Sequence, residues 1–315
     1  MSNINNELEY INETASAAPG YLVEKCEARY RNIIDEIACR VCEDKGREIV
    51  MLAGPSSSGK TTTANKLAQA FREHGVQTYV LSLDDFYINR EDIPLLPDGT
   101  RDYETVYALD LDCFEKTVNA LLKGETVKSP IFDFTTGKRS DTRFNEITLG
   151  ETDAVIIEGL HALNPVITDK IDGKLMKIYI SVSSRIYDRK GKIILNKRNL
   201  RFVRRLVRDY KFRDSTVDNT YKLWKNVTEG EDKYLFPYRS NADIRINTIH
   251  LYEPCVLKQQ ALPLLENSEI SDEYKSEAAK LRKSLELFED IDISLVPQDS
   301  LLREFLGTET KTKKV

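Results

Sequence analysis

The sequence predicts an α/β fold, a doubly wound parallel sheet with helical extensions at both ends. Short apolar runs at Glu48–Ala53 (EIVMLA), Val76–Leu83 (VQTYVLSL), Ala154–Ile157 and Lys177–Val182 (KIYISV) have the length and composition of buried strands. Helical periodicity occupies residues 62–74 and 109–122, so helices and strands alternate. The first strand also runs directly into a glycine-rich turn that opens a helix. Alternation of this kind gives a parallel sheet covered on both faces, with ligands bound beyond the carboxyl ends of its strands.

The remaining elements follow from local signals. Pro19-Gly20 marks a break before a helical pattern over residues 21–42. Gly75 and Gly124 close the helices at 62–74 and 109–122 as C-caps. Pro94, Pro97 and Gly99 make a loop of residues 89–105. A basic helix covers residues 199–212 and Ala242–Asn247 forms a last strand. From Glu266 onward the chain is expected to be a helical appendage ending in a lysine-rich tail (KTKKV).

Composition narrows the function. The net charge of −5 disfavours broad affinity for nucleic acid or membrane, both of them polyanions. No apolar run approaches the roughly 20 residues of a membrane span. The N-terminus lacks a basic region followed by an apolar stretch, so no secretory signal is expected. Five cysteines at irregular spacing do not form a disulfide framework, and reduced thiols fit a cytoplasmic protein. Cys39 and Cys42 form a C-x-x-C without a second pair and are read as small buried residues of a helix.

Gly54-Pro55-Ser56-Ser57-Ser58-Gly59-Lys60-Thr61 satisfies G-x-x-x-x-G-K-[ST], the phosphate-binding P-loop, in the strand–turn–helix setting the motif requires. The glycines permit a tight turn that points successive N–H groups at a β-phosphate. Lys60 supplies a point charge to the β and γ oxygens, and the Thr61 hydroxyl is placed for magnesium. The opening helix directs the positive end of its dipole at the same phosphates, with Thr62 in its first turn. Residues Gly54, Ser56, Ser57, Ser58, Gly59, Lys60, Thr61 and Thr62 are therefore expected to bind nucleotide.

Further motifs follow in order: Ser82-Leu-Asp84-Asp85-Phe-Tyr87, Asp102-Tyr103, Pro130-Ile-Phe132-Asp-Phe134-Thr-Thr-Gly137-Lys138-Arg139, Val155-Ile-Ile-Glu158-Gly159 and Leu200-Arg201-Phe-Val-Arg204-Arg205-Leu-Val-Arg208-Asp209. This ordered set resembles the uridine kinase and phosphoribulokinase family, over about Ile49 to Asn247. The resemblance implies a P-loop kinase domain at 48–250, between an N-terminal helical extension at 1–47 and a C-terminal one at 251–315. It also implies ATP and Mg2+ as cofactors, and a small-molecule hydroxyl acceptor, with a nucleoside first. The state of assembly, homo-oligomer included, stays open.

Phosphoryl transfer needs an acceptor for the hydroxyl proton, a metal and compensation of charge on the moving group. Asp84, at a strand end beside the P-loop, is preferred as that base over its neighbour Asp85, because only one of two successive side chains faces the site. Glu158 ends an apolar strand where a carboxylate can orient magnesium, alongside Thr61 and Asp84. Arg201, Arg204, Arg205 and Arg208 recur at i, i+3, i+4 and i+7, on one helix face. The family places a phosphate-closing lid there, and Arg204 and Arg208 are chosen to stabilise the transferring group. Arg201 reaches substrate or ATP, and Arg213 is a further contributor.

The acceptor pocket is expected to use Tyr87, Asp102, Phe132, Phe134 and Arg139. Asp102 resembles the family's ribose-binding Asp, and Phe132 and Phe134 either stack on a flat base or belong to the core. The pyrimidine nucleoside kinases carry a Tyr and a His where this chain has Phe132 and Gly137. Two rivals remain: a kinase for a sugar, sugar phosphate or pantothenate-like acceptor, and an ATP-dependent regulator acting through its C-terminal helices.

Overall fold

The structure is a computed structural model that describes residues 5–43, 48–96, 99–134 and 136–307. Pro97 of the expected loop and the lysine-rich tail lie outside these residues. Two helices, α1 (Leu8–Ala17) and α2 (Pro19–Glu43), precede β1 (Glu48–Ala53). Then come α3 (Lys60–Glu73), β2 (Thr78–Ser82), α4 (Leu111–Leu122) and an antiparallel pair, β3 (Val127–Asp133) and β4 (Lys138–Ile147). After β5 (Ala154–Glu158), α5 (Pro165–Thr168) and β6 (Leu175–Ser181), a small ribbon forms from β7 (Ile186–Tyr187) and β8 (Ile193–Leu195). The chain closes with α6 (Lys197–Phe212), α7 (Val217–Tyr234), β9 (Ile244–Asn247), α8 (Glu253–Asn267), α9 (Asp272–Leu285) and α10 (Arg303–Leu306).

The central sheet has five parallel strands in the order β2-β5-β1-β6-β9. The period of two along a strand divides its side chains between the sheet's faces. Val50 and Leu52 of β1, with Ile156 and Ile178, enter one core shared with α2, α3, α6 and α8. Ile49, Met51 and Ala53, with Val155 and Ile157, enter a second core shared with α4. A sheet buried on both faces explains why β5 (AVIIE) is apolar up to its last residue. The first core also takes in Leu22, Tyr30, Leu301 and Phe305, so both terminal helical segments pack on the same face of the sheet.

Element ends are set by side-chain caps. Asp110 accepts the Cys113 N–H at 2.9 Å and starts α4 at Leu111. Ser82 accepts the Asp84 N–H at 3.3 Å and ends β2 in a single 3₁₀ turn, before the Leu83 expected to finish the strand. Asn196 and Asn199 form a reciprocal capping box, which begins α6 two residues earlier than the expected 199. The reading of Cys39 and Cys42 as buried is corrected. Both lie on α2, but Cys39 is exposed with its Sγ 3.7 Å from His74 Nε2, and Cys42 is half-exposed.

Leu52, fully buried at the centre of the sheet, gives a direct test of the fold. Leu52→Ala should cost about 2–5 kcal/mol in urea unfolding, the range for a truncated core leucine; a loss below about 1 kcal/mol would mean that this strand is not at the core.

Candidate functional site

The P-loop joins β1 to α3 at the carboxyl end of the sheet. Its backbone is left-handed at Ser57 (φ 58°) and Gly59 (φ 88°), which turns neighbouring N–H groups toward one concavity. Gly54 is required for a different reason: a Cβ there would lie 2.5 Å from the Ile180 carbonyl oxygen on β6. Lys60 Nζ lies 3.4 Å from the Pro55 carbonyl, folded along the loop. Thr61 Oγ1 donates to Glu158 Oε1 at 3.0 Å, and Ser82 Oγ reaches the same oxygen at 3.1 Å. Three adjacent strands thus bring Thr61, Ser82 and Glu158 together, as the register of β1, β5 and β2 requires.

Acidic groups crowd this point. Burial pushes the Glu158 carboxyl up to about 7, and the nearby charge of Asp84 adds to it, against Lys60, Thr61 and Ser82. Asp84 keeps solvent access along the cleft although protein surrounds its carboxyl. Desolvation raises its pKa, while Lys60 and Arg213 pull it down. Asp85 is committed elsewhere, its Oδ1 accepting the Phe132 N–H at 3.1 Å and anchoring β3. Of the two neighbours only Asp84 is free to meet a ligand beside Lys60.

Glu104, missed by the sequence reading, stands in the same cleft. Its carboxyl is pushed up to about 7, chiefly by burial and then by Glu231, with Arg205 and Lys60 opposing. His161, three residues beyond Glu158, is 3% exposed, and burial lowers its pKa to about 4, so the ring is neutral at pH 7. Nothing in the spacing of either residue marks it; only the fold brings them to Lys60.

The arginine helix α6 is packed down onto the P-loop, and its residues divide into two sets. Arg201 donates to the Ser56 carbonyl at 3.0 Å and makes a two-pronged pair with Glu231 of α7 at 2.7 and 2.8 Å. Glu231 Oε1 also accepts the Ser56 N–H at 2.7 Å. Arg204 is fully buried, 2.7 Å from Glu253 Oε2 through its Nε, and donates to the carbonyls of Ser57 (3.3 Å) and Thr248 (2.8 Å). This corrects two expectations. Arg201 and Arg204 grip the outer, carbonyl side of the loop, and their charges are already met by buried acids, so neither faces the phosphate concavity.

Arg205, Arg208 and Arg213 form the second set. All three lie within ion-pair distance of one carboxylate, Asp209, at 3.0, 2.7 and 3.6 Å. Arg205 also donates to Ser56 Oγ at 2.9 Å. Three cations around one anion leave surplus positive charge beside Asp84 and Lys60.

On the acceptor side, Tyr87, Phe132 and Phe134 form one aromatic cluster, with ring centroids 5.0–6.1 Å apart. Phe132 is buried within it, whereas Phe134 is 59% exposed and can offer a ring face. Asp102 is partly engaged: Oδ2 accepts the Tyr234 hydroxyl at 2.8 Å and Oδ1 the Glu104 N–H at 3.2 Å. Arg139, expected in the acceptor pocket, is bound instead to Asp110 at 3.0 Å and to the Tyr87 carbonyl, which fixes β4 to the start of α4. Gly137 is left-handed (φ 71°), and a Cβ there would lie 2.6 Å from Arg90 Nε. Arg90 therefore occupies the space that a side chain at 137 would need.

A P-loop at the switch point of a parallel sheet, with an acid in the turn after the next strand in the chain and an arginine-rich helix packed beside it, fits a P-loop kinase. The comparisons narrow the class: residues 49–252 match the model of the phosphoribulokinase/uridine kinase family, and the chain belongs to that family. It is similar to a uridine kinase of Staphylococcus aureus (strain JH9), 29% identical over 204 residues, covering 64% of this chain and 88% of the relative. Its fold is similar to that of a proposed fructose transport system kinase from Silicibacter sp. TM1040, with TM-score 0.50 and 22% identity, covering 68% of this chain and 98% of the other. A candidate uridine kinase structure from Bacillus stearothermophilus aligns with TM-score 0.45 and 22% identity, covering 70% of this chain and 99% of the other.

The geometry of Arg204 makes a stability prediction. Arg204→Met should destabilise the protein by about 3–5 kcal/mol, because it leaves Glu253 buried without its partner. The double change Arg204→Met/Glu253→Leu should recover most of that loss in urea unfolding. Equal destabilisation in both variants would show that the pair is not the reason for Arg204.

Proposed function

We propose that the protein transfers the γ-phosphoryl group of Mg-ATP to the 5′-hydroxyl of a ribonucleoside, with uridine and cytidine as first acceptors. The observation that carries this reading is the position of Asp84. Its carboxyl lies among Lys60, Arg213 and Glu158, while Asp85 is spent on the backbone of β3. The 29% identity to a uridine kinase supports the nucleoside as acceptor class.

In this reading Asp84 accepts the proton of the acceptor hydroxyl as its oxygen bonds to the γ-phosphorus. The β–γ bridging bond breaks and ADP departs. Lys60 and the P-loop N–H groups hold the β and γ oxygens, and Arg205, Arg208 and Arg213 face the charge that builds on the transferring group. Glu104 and Asp102 are placed to accept hydrogen bonds from the acceptor's hydroxyls, and Phe134 to stack on its base.

Thr61, Glu158 and Asp84 offer hard oxygen donors at one point, and among the described residues no cluster of three acidic, histidine or cysteine side chains forms a cage. That set fits magnesium, which takes one or two carboxylates and completes its shell with water and phosphate oxygens. When bound, the ion offsets phosphate charge.

A second reading is favoured by Gly137. Gly137 has no side chain, the space for a Cβ there being taken by Arg90, and Phe132 offers no hydroxyl, so the polar groups that the pyrimidine nucleoside kinases carry at these two positions are absent. An acceptor other than a nucleoside, a sugar or sugar phosphate, keeps the same machinery. ADP release measured across nucleosides, sugars and sugar phosphates separates the two readings; turnover of a sugar with every nucleoside inactive would reject the nucleoside and retain the kinase.

Asp84→Asn should lower turnover by about 10²–10⁴-fold, the usual worth of a general base. Asp85→Asn should stay within about tenfold of wild type, since its oxygen serves only the β3 backbone. A crippled Asp85 variant beside an active Asp84 variant would reverse the assignment.

A further inference from the structure

The segment 299–307 lies beyond the family-matched residues, yet it is seated on the phosphate-binding loop. Leu301 is fully buried against Gly59, where an added Cβ would come within 2.6 Å of its Cδ1. Glu304 Oε2 accepts the Thr62 hydroxyl at 2.6 Å, in the first turn of α3. Asp299 pairs with Lys66 one turn further along that helix, at 2.9 Å. The same segment reaches α6: the Phe305 ring lies 5.3 Å from the Arg204 guanidinium, and the Leu306 carbonyl accepts from Lys211 Nζ at 2.5 Å.

The segment is held rigidly in place. Arg303 donates to the carbonyls of Ile293, Val296, Pro297 and Gly307 and staples the turn together. Ser300 donates to the buried Glu27 at 2.5 Å and caps the Leu302 N–H at 3.1 Å. Such a platform can fix whatever touches it.

Thr62 shows what is fixed. The next residue, Thr63, bonds back to the Gly59 carbonyl at 2.6 Å, the ordinary habit of a helical threonine and one that bends helices. Glu304 withdraws the Thr62 hydroxyl from that habit at the turn whose N–H groups would face a bound phosphate. We propose that Glu304 and Leu301 are positioning residues of the donor-nucleotide site, holding the first turn of α3 and Gly59 in the nucleotide-binding geometry before the ligand arrives. The inference rests on the P-loop kinase reading, and it makes the C-terminal segment part of the donor site. Preorganisation of this kind raises affinity without any contact to the ligand.

The test is equilibrium binding of Mg-ADP by calorimetry, which needs no acceptor, with melting temperatures as a control on folding. Glu304→Ala should weaken Mg-ADP roughly tenfold or more, the worth of a charge-assisted hydrogen bond. Glu304→Gln, which keeps an acceptor oxygen, should restore most of the affinity. Thr62→Val should weaken binding too, and Thr62→Val/Glu304→Ala should be little worse than the weaker single variant, since both remove one interaction. In turnover assays the KM for ATP should rise with kcat nearly kept. Unchanged affinity in Glu304→Ala, or losses that add fully in the double variant, would overturn the proposal while leaving the kinase reading intact. A folded wild type that does not bind Mg-ADP would remove the kinase reading and the proposal with it.

Discussion

Two buried acids on separate helices hold the phosphate-binding loop by way of arginines from a third. Glu231 and Glu253 neutralise Arg201 and Arg204, and the guanidinium groups so fixed donate to the carbonyls of Ser56 and Ser57. A nest of N–H groups can form only if the opposite, carbonyl side of the turn is satisfied, since buried backbone acceptors without partners are costly. Ser57 adds to the need for restraint, because a non-glycine residue at positive φ persists only where its surroundings enforce it. Buried ion pairs contribute little net stability, since desolvation offsets most of their attraction. Their effect here is geometric: the loop has one shape, set by α6, α7 and α8 together.

The arginines of the same helix therefore have two tasks. Toward the loop's exterior it presents arginines already spent on acids. Toward the cleft it presents Arg205 and Arg208, joined by Arg213 just past its end, around the single carboxylate of Asp209. The surplus positive charge lies where the acids Asp84, Glu158 and Glu104 gather, and the charge of Asp84 adds to burial in raising the pKa of both glutamates. A polyphosphate entering this cleft would meet cations whose own partner cannot satisfy all of them. That arrangement suits differential stabilisation of charge that appears only during transfer.

What the sequence made legible were contacts within one element or between an element and its loop. The P-loop, Glu158 at the end of an apolar strand and Asp84 at the end of the next are each visible in a few consecutive residues. Parallel register then brings Thr61, Ser82 and Glu158 together without further information. The arginine spacing at i, i+3, i+4 and i+7 showed that four guanidinium groups share a face, but not which of them turn toward the loop's back. That depends on Glu231 and Glu253, acids on other helices with no motif of their own. Glu104 was hidden for a similar reason, two residues beyond Asp102 in a loop whose path the sequence does not determine. The commitment of Arg139 was hidden because its partner, Asp110, is a helix cap on another element and the Tyr87 carbonyl it also bonds carries no sequence signal.

Because this account makes the loop's shape a property of the protein before nucleotide arrives, hydrogen exchange of residues 54–63 is the most direct measurement of it. The account predicts that the Ser56, Ser58 and Thr63 amides, bonded to Glu231 and to the carbonyls of Pro55 and Gly59, exchange slowly in the nucleotide-free protein, and that Mg-ADP adds little further protection to these three. Replacing Glu231 by alanine should release that protection selectively while β1 and β5 remain slow. Rapid exchange of these three amides in the free protein, with their protection appearing only on addition of nucleotide, would contradict the account and show that the ligand shapes the loop.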